Sequence, residues 1–143
     1  MSKLVLGVAL FVAQLSGPGN SLPQVLQPDF KPAVPMKAGQ SGEVVVSFSL
    51  LKGYAINHTP PISLKLTPVA GIGLAKTDFT TPSNDPKSKD EYYVDVPSFR
   101  VPVTAAKAGK YEVPAKLKYF FCHKTDGFCS IQTLDLKIPV SVQ

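Results

Sequence analysis

The chain has 143 residues, 44% of them hydrophobic, with 14 prolines, two cysteines and no tryptophan, a size that fits one domain with its own core. Fifteen Lys and Arg against ten Asp and Glu leave a formal charge of +5. The basic residues stand singly between apolar ones, as in Leu64-Lys65-Leu66 and Lys116-Leu117-Lys118, which describes a solvated strand face and excludes a nucleic-acid groove.

Met1-Ser2-Lys3 gives a positive start, and Leu4 to Ala13 is an uninterrupted apolar run of ten residues. Such a run is too short to cross a bilayer and has the pattern of a secretory signal. The expected signal peptide covers 1–21, with Gly19 and Ser21 as the small residues before cleavage. The alternative, a buried N-terminal strand, fits poorly with Gly17-Pro18-Gly19-Asn20-Ser21. No cysteine follows the run, so a lipid anchor is not indicated. A cleaved signal places the remaining chain outside the cytoplasm, periplasmic or secreted, where disulfides persist.

Prolines 18, 23, 28, 32 and 35, with little periodicity around them, predict a Pro-rich N-terminal arm over 22–39 that joins the domain late. Over 40–143 the period is two. Residues 43–51, 62–67, 93–96, 99–104, 111–121 and 133–142 alternate apolar with polar, the mark of half-buried strands. Six or seven short strands without a helical stripe predict an all-β fold, an immunoglobulin-like antiparallel β-sandwich. Pro97, Pro102, Pro114 and Pro139 fall within or beside strands, as at edges or bulges. Without Trp, and with its cysteines so close together, the chain is not an antibody-type domain.

Residues 75–90 form a polar, turn-rich loop, a length that is usually functional or mobile. It ends in Asp90-Glu91-Tyr92-Tyr93, read either as a lid or as a solvated loop leading into a strand whose aromatics face the core.

Cys122 and Cys129 flank a six-residue turn containing Asp126-Gly127, between two strand-like runs. Residues opposed in an antiparallel pair have Cα atoms roughly 4.5–5.5 Å apart, within the window of roughly 4.4–6.8 Å for a disulfide. Closing so short a ring is worth about 2.5 kcal/mol, against about 4.4 for a 70-residue loop. A surface hairpin tip also leaves sulfur open to another protein's thiol. Spacing alone leaves two alternatives, an exchangeable pair or a local clip.

The order of short motifs around this hairpin resembles the N-terminal periplasmic domain of the DsbD thiol:disulfide interchange family. Lys52-Gly53-Tyr54 followed by Ile62 to Pro68 looks like that family's Gly-Tyr strand and its hydrophobic-Thr-Pro strand. Asp90-Glu91-Tyr92-Tyr93 looks like its acidic-acidic-aromatic-Tyr loop. Val101-Pro102-Val103, Ala108-Gly109, Tyr119, Asp126-Gly127-Phe128-Cys129 and Ile138-Pro139-Val140 continue in order, so that the resemblance spans about residues 40–142.

It implies an immunoglobulin-like sandwich in which Cys129 exchanges with a substrate disulfide and Cys122 resolves the mixed disulfide. Tyr92 would shield the sulfurs as a cap-loop aromatic, with Asp90 and Glu91 near the thiols. The implied partners are thioredoxin-like or disulfide-isomerase proteins and, as electron donor, a separate membrane electron-transfer protein. The chain departs from the family in spacing its cysteines by six residues rather than five. It also carries Ala55-Ile56-Asn57-His58 where the family usually has further tyrosines.

Three other readings compete. Cys122, Cys129, His123 and His58 suit copper(I) or zinc by residue type, but their spacing matches no tight-binding pattern, so no metal or cofactor is expected. Nothing resembles a hydrolase nucleophile elbow. A secreted, non-catalytic β-sandwich interaction module with a structural hairpin disulfide is the main alternative.

Overall fold

The computed structural model describes residues 22–32 and 35–143. Among these the chain forms β1 (Leu26–Pro32), β2 (Ser41–Leu50), β3 (Tyr54–Ile56), β4 (Ser63–Leu66), β5 (Ile72–Leu74), β6 (Asp78–Thr80), β7 (Phe99–Ala105), β8 (Gly109–His123) and β9 (Cys129–Val142), with no helix. One sheet runs β1-β2-β7-β5. In the other, β8 is central, with β9 on one side, β3 and β4 on the other, and β6 outside β4. Every strand pair is antiparallel. The two sheets make an all-β, immunoglobulin-like sandwich.

Alternation sets the core. Along β8 the odd positions Val113, Ala115, Leu117, Tyr119 and Phe121 are buried, and along β9 so are Leu136, Ile138, Val140 and Val142. Val44 and Val46 of β2 and Phe99, Val101 and Val103 of β7 meet them from the opposite sheet. Lysines fill the outward positions between, as at Lys116 and Lys118. The β8–β9 ladder is unbroken from Gly109↔Val142 to Cys122↔Cys129.

β3 and β4 lie one after the other on β8, but not in one register. Ile56 pairs with Phe121 and Ser63 with Lys118, so seven steps of chain on one side span three on the other. The surplus loops out between Asn57 and Ile62. This bulge leaves Asn57 as the last residue in line with β3, its N–H bonded to the Phe120 carbonyl at 2.9 Å.

Two expectations change. The arm over 22–39 is not separate from the sandwich: residues 26–32 pair with β2 along seven residues as an edge strand, a position that tolerates proline. Met36 is buried and bridges Val142. Residues 93–96 are not a strand despite their alternation, and β3, β5 and β6, three residues each, carry too little pattern to read. The signal peptide expected over 1–21 lies outside the described residues.

Tyr119 ties the amino-terminal end to the second sheet. Its ring is fully buried; its hydroxyl accepts the Leu26 N–H at 3.1 Å and donates to Gln132 Oε1, its cross-strand neighbour. The same Oε1 accepts the Val25 N–H at 3.0 Å, and Gln132 Nε2 donates to the Pro23 carbonyl at 3.0 Å. Burial raises the Tyr119 pKa, an effect partly offset by the hydrogen bonds with Leu26 and Val25. Replacing Tyr119 by Phe strands the buried Leu26 N–H. The expected loss is about 1–3 kcal/mol in urea unfolding with an unchanged fold; a change under about 0.5 kcal/mol, ordinary for a surface substitution, would show that the hydroxyl does not hold the strand.

Candidate functional site

Because directly opposed residues share a face of a sheet, the register alone lays out the site. Ala55 of β3 opposes Cys122 of β8, which opposes Cys129 of β9. These even β8 positions point away from the core, so the row lies on the outer face of the sheet. Next to it runs a second row, in which Tyr92 opposes Asn57 through an isolated bridge and Phe120 opposes Ile131.

Cys122 and Cys129 form a disulfide with Cα atoms 4.0 Å apart, closer than the separation expected from pairing alone. His123 N–H bonds the Phe128 carbonyl immediately beyond the pair, so the cysteines occupy a non-hydrogen-bonded position, where opposed side chains approach most closely. Gly127, at φ +70°, takes the left-handed conformation that the turn needs, and its N–H returns to the His123 carbonyl at 2.9 Å.

The two sulfurs are not equivalent. Cys122 is 1% exposed, whereas Cys129 is exposed at the strand's start. Asn57 Oδ1 stands 3.5 Å from Cys122 Sγ, and the Gly127 carbonyl 3.6 Å from Cys129 Sγ. Beside Cys129 opens a hollow of about 380 Å³ lined by Asn57, Phe120, Phe121, Ser130 and Ile131. Ile131, 47% exposed, gives this hollow an apolar wall, and Phe128, the residue before Cys129 in the chain, is 48% exposed.

The loop ahead of β7 is held against β3 by its own polar groups. Tyr93 is buried, and its hydroxyl donates to the Pro82 carbonyl at 2.5 Å and meets Thr81 Oγ1 at 2.7 Å. Thr81 Oγ1 in turn accepts the Ile62 N–H. Burial raises the Tyr93 pKa. Asp85 accepts the N–H groups of Lys87 and Val94 at 2.9 and 2.8 Å. Asp90 Oδ1 accepts from Tyr92 N–H and the Ser88 hydroxyl, each at 2.9 Å. Backbone bonds from Tyr93 N to Ile56 O and from His58 N to Glu91 O dock the loop on the sheet. The His58 ring nitrogens lie 2.9 Å from the Asp90 carbonyl and 3.1 Å from that of Ser83.

The structure therefore brings Cys122 and Cys129 together and puts Tyr92, half-buried, on the same outer face, opposite Asn57 and so two residues along from Ala55. Burial first, then Glu91 beside it, raises the Tyr92 hydroxyl's pKa. The Asp90 carboxylate is spent on its own loop, and Glu91 contributes its backbone carbonyl to His58. His123 alternates to the inner face, where its ring packs edge-on to Tyr54 at 4.8 Å and Nδ1 lies 3.3 Å from Asp126 Oδ2. Among the described residues no cluster of three metal-ligating side chains occurs. Asn57, Phe120 and Ile131 escaped the sequence reading, because their place beside the sulfurs depends on the β3–β8–β9 register.

No protein-family model matches the chain, and no curated protein matches it. Among solved structures, a cohesin module from a Clostridium perfringens ATCC13124 family 33 glycoside hydrolase aligns over 85% of this chain and 100% of that one, at 9% identity and a TM-score of 0.41.

The loop's two carboxylates set its response to acid. Asp85 is held below the ordinary 3.8 by the N–H groups of Val94 and then Lys87, and Asp90 by those of Tyr92 and then Ser88's hydroxyl. With the folded pKa below the unfolded value, this stabilisation is complete above about pH 4 and is lost as pH falls through the lower folded values. Hydrogen-exchange protection at Tyr92 and Val94 is expected to fall on acidification to about pH 2.5 while β8–β9 amides keep theirs. Equal protection at both pH values would rule out the carboxylates as the loop's fasteners.

Proposed function

We propose that this chain is a thiol-disulfide interchange domain of the DsbD N-terminal type, acting in the periplasm through Cys122 and Cys129. The supporting observation is the asymmetric disulfide on an outward face, with Cys129 exposed and Cys122 buried. The β8–β9 ladder already closes this hairpin over its whole length, so a clip at its tip adds little order to the native state.

In the exchange, a partner thiolate attacks Cys129 Sγ in line with the disulfide. A sulfur–sulfur bond forms to the partner, the Cys122–Cys129 bond breaks, and the electron pair leaves on Cys122 Sγ, which takes up a proton. The partner's second thiolate then attacks its own sulfur in the mixed disulfide and releases Cys129. The partner dithiol ends as a disulfide and this pair as a dithiol, two electrons having moved. The same steps reversed deliver those electrons to an oxidised acceptor.

The donor in this reading is a separate membrane electron-transfer protein, and the acceptors are thioredoxin-like or disulfide-isomerase proteins. Tyr92 shields the pair until a partner docks. Asp90 keeps the cap in shape through Tyr92 N–H, and the apolar surface of Phe128 and Ile131 receives the partner. The signal peptide expected over 1–21 delivers the domain to the periplasm.

Equilibration of the purified protein in glutathione and dithiothreitol buffers tests the reading. A potential between about −180 and −270 mV, the range of isomerases and thioredoxins, is expected; one well below about −300 mV marks a structural bridge and the interaction-module alternative. After reduction, iodoacetamide is expected to modify Cys129 well before Cys122, resolved by peptide mass. Equal rates, or a faster Cys122, would reverse the assignment of attacked and resolving sulfurs.

A further inference from the structure

Among the described residues, the one side chain within hydrogen-bond reach of Cys122 Sγ is the Asn57 carboxamide, with Oδ1 at 3.5 Å. The remaining side chains in the two rows around that sulfur are Ala55, Phe120, Ile131 and Tyr92. Asn57 is held there by its backbone. Its N–H bonds the Phe120 carbonyl and it bridges Tyr92, so the side chain's position follows from the sheet and not from the cysteines. In the disulfide, Cys122 Sγ carries no proton, and Oδ1 faces a second acceptor without return. Once the bond opens and Cys122 takes up its proton, the same oxygen has a donor.

We propose that Asn57 is a positioning residue for the exchange: its Oδ1 accepts the Cys122 S–H, favours the reduced over the oxidised pair, and keeps the resolving sulfur protonated and held in place beside Cys129 between transfers. A hydrogen bond made only to the neutral thiol disfavours its thiolate, so the resolving step waits until a partner displaces the amide. The same residue ties the cap to the sulfurs, because its backbone carries Tyr92 while its side chain meets Cys122. The proposal rests on the exchange reading above.

The test compares the full chain with Asn57→Ala and Asn57→Asp. Two quantities are read for each: the dithiol/disulfide equilibrium constant against dithiothreitol, and the pH dependence of Cys122 alkylation in the reduced protein. Asn57→Ala is expected to favour the disulfide by about fivefold, about 20 mV more negative, since a twofold-electron couple shifts 29.6 mV per decade. It is also expected to lower the pH at which Cys122 becomes reactive. Asn57→Asp, a stronger acceptor with a negative charge, is expected to raise that pH. A merely structural Asn57 would change unfolding stability and leave both redox quantities within about twofold of the parent, which would overturn the proposal. Should Asn57→Ala fail to fold, Asn57→Asp decides by the same two readings. Both quantities are measured against a small-molecule dithiol, so they distinguish failure of this proposal from failure of the exchange reading, which shows as a parental potential well below about −300 mV.

Discussion

The β8–β9 ladder is the constraint from which the rest of the sandwich follows. It pairs every residue from Gly109 to Cys122, and a slip of one residue would turn Val113, Leu117 and Phe121 out and the lysines in. That penalty fixes the register over the whole hairpin. The cysteines inherit it: they meet because the valines and leucines further down must face the core. β3 and β4 hang from the free edge of β8, and Tyr119, also on β8, holds the amino-terminal strand. One long strand therefore organises core, site and chain entry together.

Where alternation is long and strict, the sequence could be read. Residues 111–121 and 133–142 reveal both β8 and β9, and the spacing of Cys122 and Cys129 about Asp126-Gly127 reveals the hairpin between them. Short strands failed because three residues cannot show a period. β3 is legible only through its partner, since Ala55-Ile56-Asn57 has no alternation of its own kind and its placement depends on the looped-out residues before Ser63. β1 was hidden by Pro28 and Pro32, which are tolerable at an edge. Residues 93–96 alternate, yet their contact with β3 ends at the Tyr93 N–H on the Ile56 carbonyl, and Asp85 of the loop takes the N–H of Val94. Backbone donors already committed to a loop cannot build a ladder.

The site itself divides along the same line. The paired sulfurs stand in a local motif, as does the aromatic loop residue Tyr92, whose place on the same face comes from its bridge to Asn57. Asn57 stands in none, because nothing in its own neighbourhood marks it. Its meeting with Cys122 joins residues 65 positions apart and exists only once β3 has found β8. The Asp90 carboxylate shows the reverse case, a residue visible from its motif whose side chain turns out to serve the turn that holds it.

The bond between the sulfurs sits on the face of the sheet that the core does not use. Cutting or remaking it uncovers none of the apolar surface sealed between the sheets, and the heat capacity of unfolding, which follows that surface, is the property of the fold alone. Thermodynamic robustness and sulfur chemistry are thus written on opposite sides of the same strands, and selection can retune one by substituting odd positions of β8 and the other by substituting even ones.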